Sequence, residues 1–245
     1  MKHVLPLAAA MMLAACSGNG AGGNASGPAG DPVAAVPAPA GQNWTETVAK
    51  TEEGYRMGNP DAPIKLVEYG SRTCPTCGAF AREGFQPLTN NYVATGKVSF
   101  EFRDYMVHGA PDIALALLGT CGSEATFFPI LEQTYAVQST FLDKLQALDP
   151  ATQQALQSQT PIQAVGTLAD RIGAIDFIKQ RGIPEAKARA CLADGKKLEA
   201  IAKPTETATA AGTVTGTPTF LINGENVQGV VTWPQLEAAL KRAGA

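Results

Sequence analysis

Apolar positions fall into two patterns along the chain: short strand-like runs near residues 64–106 and 219–231, and helical spacing between them and at the end. Ile64-Lys65-Leu66-Val67-Glu68-Tyr69 follows the turn-rich Gly58-Asn59-Pro60-Asp61-Ala62-Pro63 and predicts a strand. Residues 78–94 suit a helix, and residues 97–106 predict a second strand through the alternation of Val98, Phe100 and Phe102. From about residue 111 to 202 the pattern is mostly helical, with breaks at Gly122, Pro129, Pro150, Pro161 and residues 182–184. Thr219-Phe220-Leu221-Ile222 predicts another strand, Asn223-Gly224 a tight hairpin turn, and residues 227–231 the returning strand. Trp233, Leu236 and Leu240 share one face of a closing helix that reaches Ala243.

The order is strand, helix, strand, a long helical stretch, hairpin and helix. A parallel βαβ unit and an antiparallel hairpin joined by a long insert describe an α/β thioredoxin fold with a helical insertion. The expected division is 46–110 for the first part of that fold, 111–203 for the insertion and 204–245 for the second part. There is no internal repeat.

The first residues read differently. A short basic start and an apolar run of about ten residues, too short to span a bilayer, end in Leu13-Ala14-Ala15-Cys16. Residues 1–15 therefore read as a signal peptide, and the four-residue ending resembles a bacterial lipobox, with Cys16 as the lipid-attachment residue. A plain signal peptide cut at small residues, with Cys16 incidental, is the alternative. Either way export to the periplasm is expected, with lipid tethering to a membrane; Ser17 rather than Asp after Cys16 favours the outer membrane. Residues 17–41 are almost all Gly, Ala, Ser, Asn and Pro, with Asp31 the lone charge. Such a segment buries too little to offset its ordering entropy, so residues 16–45 are expected to be a flexible linker holding the domain ~25–30 Å from the membrane.

Composition adds limits. The chain has 245 residues, 45% hydrophobic and 17% charged, and the part beyond the linker is enough for one core carrying an insertion. A net charge of −3 speaks against nucleic acid as a partner. His3 and His108 are the two histidines; the first lies in the segment to be removed, which argues against a His-rich metal site. His108 sits in the polar turn Val107-His108-Gly109-Ala110 and reads as an exposed loop residue. No long amphipathic dimerisation segment precedes the domain, so a monomer is expected.

The chemistry lies in Cys74-Pro75-Thr76-Cys77, directly after a predicted strand and opening a predicted helix. Two cysteines three residues apart on a first helical turn can approach closely enough to bond. The first thiol would meet unpaired backbone N–H groups and the positive end of the helix dipole, which favour thiolate, the attacking species. Pro75 suits the first helical position because its missing N–H would have no partner there. Cys77, a turn deeper, is expected to be the buried, resolving thiol. A structural disulfide or half of a zinc site is the competing reading; zinc needs two more ligands, and Cys121 and Cys191 lack the paired spacing. Those two cysteines could form a second disulfide across the insertion, or remain separate buried thiols. Taken alone, Thr217-Pro218 before a strand is only a turn, and Glu68 could face solvent or pair with a base such as Arg103.

The run from Glu68 to Cys77, together with Gly216-Thr217-Pro218-Thr219-Phe220 and the phrase from Gly58 to Pro63, resembles the DsbA family of bacterial thiol–disulfide oxidoreductases over roughly residues 50–243. The resemblance implies that Pro218 is cis and faces the cysteine pair, and that the Thr217 backbone pairs with an extended substrate beside Cys74. It implies that Glu68 lies beneath the pair and exchanges a proton with Cys77. The run from Phe127 to Tyr135 resembles the start of that family's helical cap, while its spacing alone assigns it to packing. The dipeptide between the cysteines departs from the common Pro-His: Thr76 offers only a hydroxyl, beside substrate. The Cys74 pKa is therefore expected below about 8.5 but less depressed than in a Pro-His relative, and the disulfide less oxidising.

The expected function is an exported protein thiol:disulfide oxidoreductase, first an oxidase and second a reductase or isomerase, with no cofactor beyond the cysteine pair. The partners expected are unfolded or cysteine-containing exported proteins and a membrane redox partner, either a DsbB-like oxidase or a reductant. A membrane-tethered holdase without turnover and metal delivery through the cysteine pair are the readings from other classes.

Overall fold

The computed structural model describes residues 27–245, so the signal-peptide segment and Cys16 lie outside the described residues. Two short strands come first, β1 (Val48–Lys50) and β2 (Tyr55–Met57), which the sequence pattern left unmarked because three residues each carry no readable alternation. Next is β3 (Ile64–Gly70), whose buried positions are nearly continuous, as a central strand covered on both faces requires. Helix α1 (Pro75–Leu88) follows and runs on through a wider π turn over Thr89–Val93 into β4 (Val98–Asp104). In α1, Cys77, Phe80, Ala81, Phe85 and Leu88 are buried at three- and four-residue spacing, one stripe facing the core.

The insertion holds α2 (Ala110–Gly119), α3 (Phe127–Ala136), α4 (Gln138–Gln146), α5 (Pro150–Ser158), α6 (Pro161–Arg171), α7 (Ala174–Lys179), α8 (Glu185–Leu192) and the start of α9 (Gly195–Ala210). Pro150 and Pro161 open α5 and α6 at the first helical position, where their missing N–H is harmless. Pro129 does not break a helix; it sits in the first turn of α3. The breaks the prolines did not mark fall at Val137 and at Gly173, whose φ of 78° ends α6 and starts α7. A second correction concerns the boundary at residue 203. Helix α9 passes through it to Ala210 and packs on both α2 and β4, so it joins the insertion to the sheet rather than separating them. Pro204 lies within α9 and is buried.

Strand β5 (Thr219–Ile222) and β6 (Glu225–Asn226) form the hairpin across Asn223 and Gly224, with φ of 51° and 86°. Both positive values fit the type I′ turn that joins strands with two residues. The returning strand is shorter than expected: it ends at Asn226, and residues 227–231 are not a strand. Val227 makes one last bond to Phe220, and Gly229 at φ 73° turns the chain toward α10 (Trp233–Arg242). The six strands form one sheet in the order β1-β2-β4-β3-β5-β6, in which β3 and β4 are parallel and the other pairs antiparallel. This is a thioredoxin-type mixed α/β sheet with a helical insertion.

The expected linker is also corrected. Residues 27–45 lie against the body: the Gly30 N–H donates to Arg242 O, Val33 N–H to Gly244 O and Val36 N–H to Thr95 O, and Trp44 Nε1 donates to Val36 O at 2.7 Å. Trp44 is buried and Val33 packs on the main core. Small residues, read from composition as too apolar-poor to order, allow this close backbone approach; at Gly30 a Cβ would stand 2.7 Å from Ala243 O.

Candidate active site

Cys74 occupies the N-cap of α1 in an extended conformation (φ −78°, ψ 118°) and supplies no side-chain cap, so the first N–H groups of the helix remain free to face its sulfur. Its Sγ lies 3.4 Å from the carbonyl oxygen of Thr217, across the cis Thr217–Pro218 bond. Cys77, one turn on, is fully buried, while Cys74 reaches the surface at 9% exposure. Both are free thiols, so the structure is of the dithiol form.

The two thiols are split electrostatically. Cys74 is lowered to about 5, first by the hydrogen bond from the Cys77 thiol, with Thr217 and the backbone N–H groups of Cys77 and Thr76 adding against partial burial. Cys77 is pushed well above the ordinary thiol range by burial, by its bond to Cys74 and by the negative charge of Glu68 and Cys74. The lowering at Cys74 lies on the expected side of 8.5. It comes from Cys77, the α1 N-terminus and Thr217, none of which needs a histidine between the cysteines. Thr76 itself is exposed on the first turn of α1.

Glu68 on β3 is 3% exposed, and its Oε1 has no hydrogen-bond partner. Burial, followed by repulsion from the Cys74 charge, raises it to about 8, so it is a neutral acid at pH 7. Neither of its alternatives holds. Glu68 does not face solvent, and Arg103 is engaged by Glu53, Glu101 and the hydroxyl of Tyr69.

The β3–α1 loop, Ser71-Arg72-Thr73, is buried and held by groups that the sequence reading did not assign to the site. Arg72 forms a two-pronged ion pair with Asp104, at 2.6 and 3.0 Å, and lies over the Phe127 ring at 5.4 Å. Tyr135 donates its hydroxyl to Ser71 O. Gln138, the first residue of α4, donates from one Nε2 to both Arg72 O (3.0 Å) and Cys74 O (2.9 Å). Asp112 of α2 accepts from Ser71, Thr73 and His108. The run from Phe127 to Tyr135 does pack the core, and Tyr135 adds this one polar contact to the loop. His108 is a half-exposed loop residue as expected, yet its Nδ1 is 2.8 Å from Thr73 Oγ1. No local pattern betrays Gln138 or Asp112: each reads as an ordinary polar residue near a helix start.

In the insertion core, Cys121 just after α2 and Cys191 on α8 are bonded, with Cα atoms 6.1 Å apart. Among the described residues no group of three His, Cys, Asp or Glu side chains is placed to hold a metal ion.

A mixed sheet with a long helical insert, a Cys-X-X-Cys pair split into an acidic thiol that just reaches the surface and a sealed one, and the Thr217 carbonyl before the cis-proline facing the first sulfur together define the DsbA-like thiol–disulfide oxidoreductases. The chain belongs to the thioredoxin family, whose family model matches residues 50–242. It is similar to a protein of Rickettsia bellii named as a protein-disulfide oxidoreductase, at 25% identity over 71% of this chain and 58% of that one. It thus spans little more than half the length of that curated relative. Disulfide bond formation protein D of Bacillus subtilis matches at 36% identity over 22% of this chain and 24% of its own length. Among solved structures, a protein-disulfide isomerase from Novosphingobium aromaticivorans superposes with a TM-score of 0.75 at 28% identity, covering 80% of this chain and all of that one. Alpha-DsbA1 of Wolbachia pipientis shares the fold, with a TM-score of 0.56 at 22% identity over 77% of this chain and 89% of that one.

Proposed function

We propose that the protein is an exported oxidase that transfers its Cys74–Cys77 disulfide to cysteine-containing protein substrates. The observation that carries this is the split between the two thiols: Cys74 held near 5 at the mouth, Cys77 sealed and raised behind it. In the disulfide form a substrate thiolate attacks Cys74 Sγ; the Cys74–Cys77 bond breaks, a mixed disulfide forms, and Cys77 leaves and takes a proton from the neutral Glu68. A second substrate thiolate then attacks its own sulfur in the mixed disulfide and releases Cys74 as thiolate. The substrate loses two electrons and the enzyme gains them. A thiolate as stabilised as Cys74 is a good leaving group and favours the dithiol product, so the disulfide is oxidising. The groove beside Thr217, Pro218, Asn226 and Val230 suits an extended substrate segment whose backbone pairs with Thr217.

The dithiol left by each turnover must be reoxidised, which a DsbB-like membrane oxidase would do. A lipid on Cys16 would hold the enzyme at that membrane surface in the periplasm, with a tether that starts at about residue 27 rather than 45. The protein acts as a monomer on unfolded exported proteins. An isomerase is the second reading, favoured by the similarity to the Novosphingobium protein-disulfide isomerase. Cys77→Ala in the full chain should trap substrates on Cys74, and acid-quenched alkylation of cells should find Cys74 and Cys77 mostly bonded. Trapped substrates with a mostly dithiol enzyme would favour the isomerase, and no trapped substrates would favour the holdase.

A further inference from the structure

Asp112 is 1% exposed, and its carboxylate takes four hydrogen bonds. Oδ1 accepts from Ser71 Oγ (2.8 Å), Thr73 N–H (3.0 Å) and Thr73 Oγ1 (2.8 Å), and Oδ2 accepts from the His108 N–H (2.8 Å). Burying a carboxylate is costly, and four donors are about what two oxygens need to offset it. Three of those donors belong to the two residues flanking Arg72, immediately before the nucleophile. The Thr73 hydroxyl also lies 2.8 Å from His108 Nδ1, which ties the imidazole to the same network. The imidazole is half in solvent, with its Nδ1 3.9 Å from Asp112 Oδ2, and so covers the carboxylate from outside. Arg72, the nearest strong cation in the loop, is committed to Asp104.

We propose that Asp112 is a positioning residue for Cys74: from the first turn of α2 it clamps Ser71 and Thr73, fixing the peptide that enters α1, with His108 closing the clamp on the solvent side. The α1 N–H groups of Thr76 and Cys77 reach Cys74 Sγ only if the chain enters the helix at this angle, because Cys74 is itself the N-cap and no side chain caps the helix in its place. The insertion thereby sets the reactivity of a sulfur on the other part of the fold. This inference rests on Cys74 being the attacking group.

The test is Asp112→Asn in the full chain, with the Cys74 thiolate titrated by its ultraviolet absorbance and the disulfide equilibrated against glutathione. Asn keeps the size, but its amide donor would meet the His108 N–H. If the clamp aims the helix, the Cys74 pKa rises by about one unit, and the equilibrium with glutathione shifts about tenfold toward the protein disulfide. Thr73→Val, which removes one rung, shifts both in the same direction by less, and it serves alone if Asp112→Asn does not fold. Loss of negative charge without loss of aim would lower the Cys74 pKa, the opposite sign. A lower or unchanged Cys74 pKa, whatever happens to the melting temperature, would overturn the proposal. Neither readout needs a protein substrate, so failure of the clamp is distinct from failure of the proposed function, which would appear as no trapped substrate in Cys77→Ala.

Discussion

At the scale of single residues, the site is defined by groups held in the wrong ionisation state for water. Glu68 is the clearest, a carboxyl with an unpartnered oxygen under a thiolate. Its folded pKa of about 8 stands above the ordinary value of 4.5. Below pH 4.5 it is protonated whether the chain is folded or not and has no effect. Between 4.5 and 8 the unfolded chain ionises while the folded one does not, so stability is lost across that window as pH rises. Glu68→Gln should therefore raise the unfolding free energy by about 3 kcal/mol at pH 7 and change it little at pH 4. Urea unfolding at the two pH values checks this; no gain at pH 7 would mean that Glu68 is not held neutral. The same substitution removes the proton source for the departing Cys77 and should slow formation of the mixed disulfide. Cys74 and Cys77 were legible because the motif and its preceding strand are contiguous, whereas Glu68 was singled out only by the family resemblance. The share that Thr217 adds to the Cys74 shift was not legible, since Thr217 is 143 residues away.

At the scale of elements, helices of the insertion decide how the cysteine turn is held. Gln138 begins α4 and reaches two carbonyls of the active-site turn, and its Oε1 lies so close to Gly78 that a Cβ there would stand 2.1 Å from it. Gln138→Leu keeps the bulk but strips the donor, leaving Arg72 O without it and burying the loss. Destabilisation of about 1–3 kcal/mol is expected, read as a lower urea midpoint with an unchanged slope. Gly78→Ala should cost stability by collision at the same spot. If both variants melt like the parent, the contact is incidental. The helices themselves were readable from apolar spacing and from prolines at first-turn positions. The hairpin's short return strand and β1–β2 were not, because a strand of two or three residues exists only through the partner it bonds.

Across the whole molecule, two ties bind distant parts of the chain. The Cys121–Cys191 bond closes a loop with a sequence separation of 70 within the insertion core. In the chain-entropy account, removing it with Cys121→Ala and Cys191→Ala should cost about 4 kcal/mol, seen as a lower melting temperature. An unchanged melting temperature would show that the unfolded chain gains little freedom. The second tie is the segment over residues 27–45, laid along α10 and the chain end by backbone hydrogen bonds. Its first described residue, Gly27, lies beside Val227. Helix α9, bridging α2 and β4, makes the insertion continuous with the sheet rather than a separate unit.

The amino-acid order alone determined the fold class and the site of the chemistry, and left the facing of Glu68 open. The first two are written in contiguous residues: period-two strands, a period-3.6 helix, and a cysteine pair whose spacing matches one helical turn. Only the tertiary structure decided what surrounds those residues. It brought Asp112, Gln138 and Thr217 to one loop, bonded Cys121 to Cys191 and laid a glycine- and alanine-rich segment against the core. Such contacts join parts of the chain that have no local pattern in common, and their energies come from desolvation and geometry that exist only once the chain is packed.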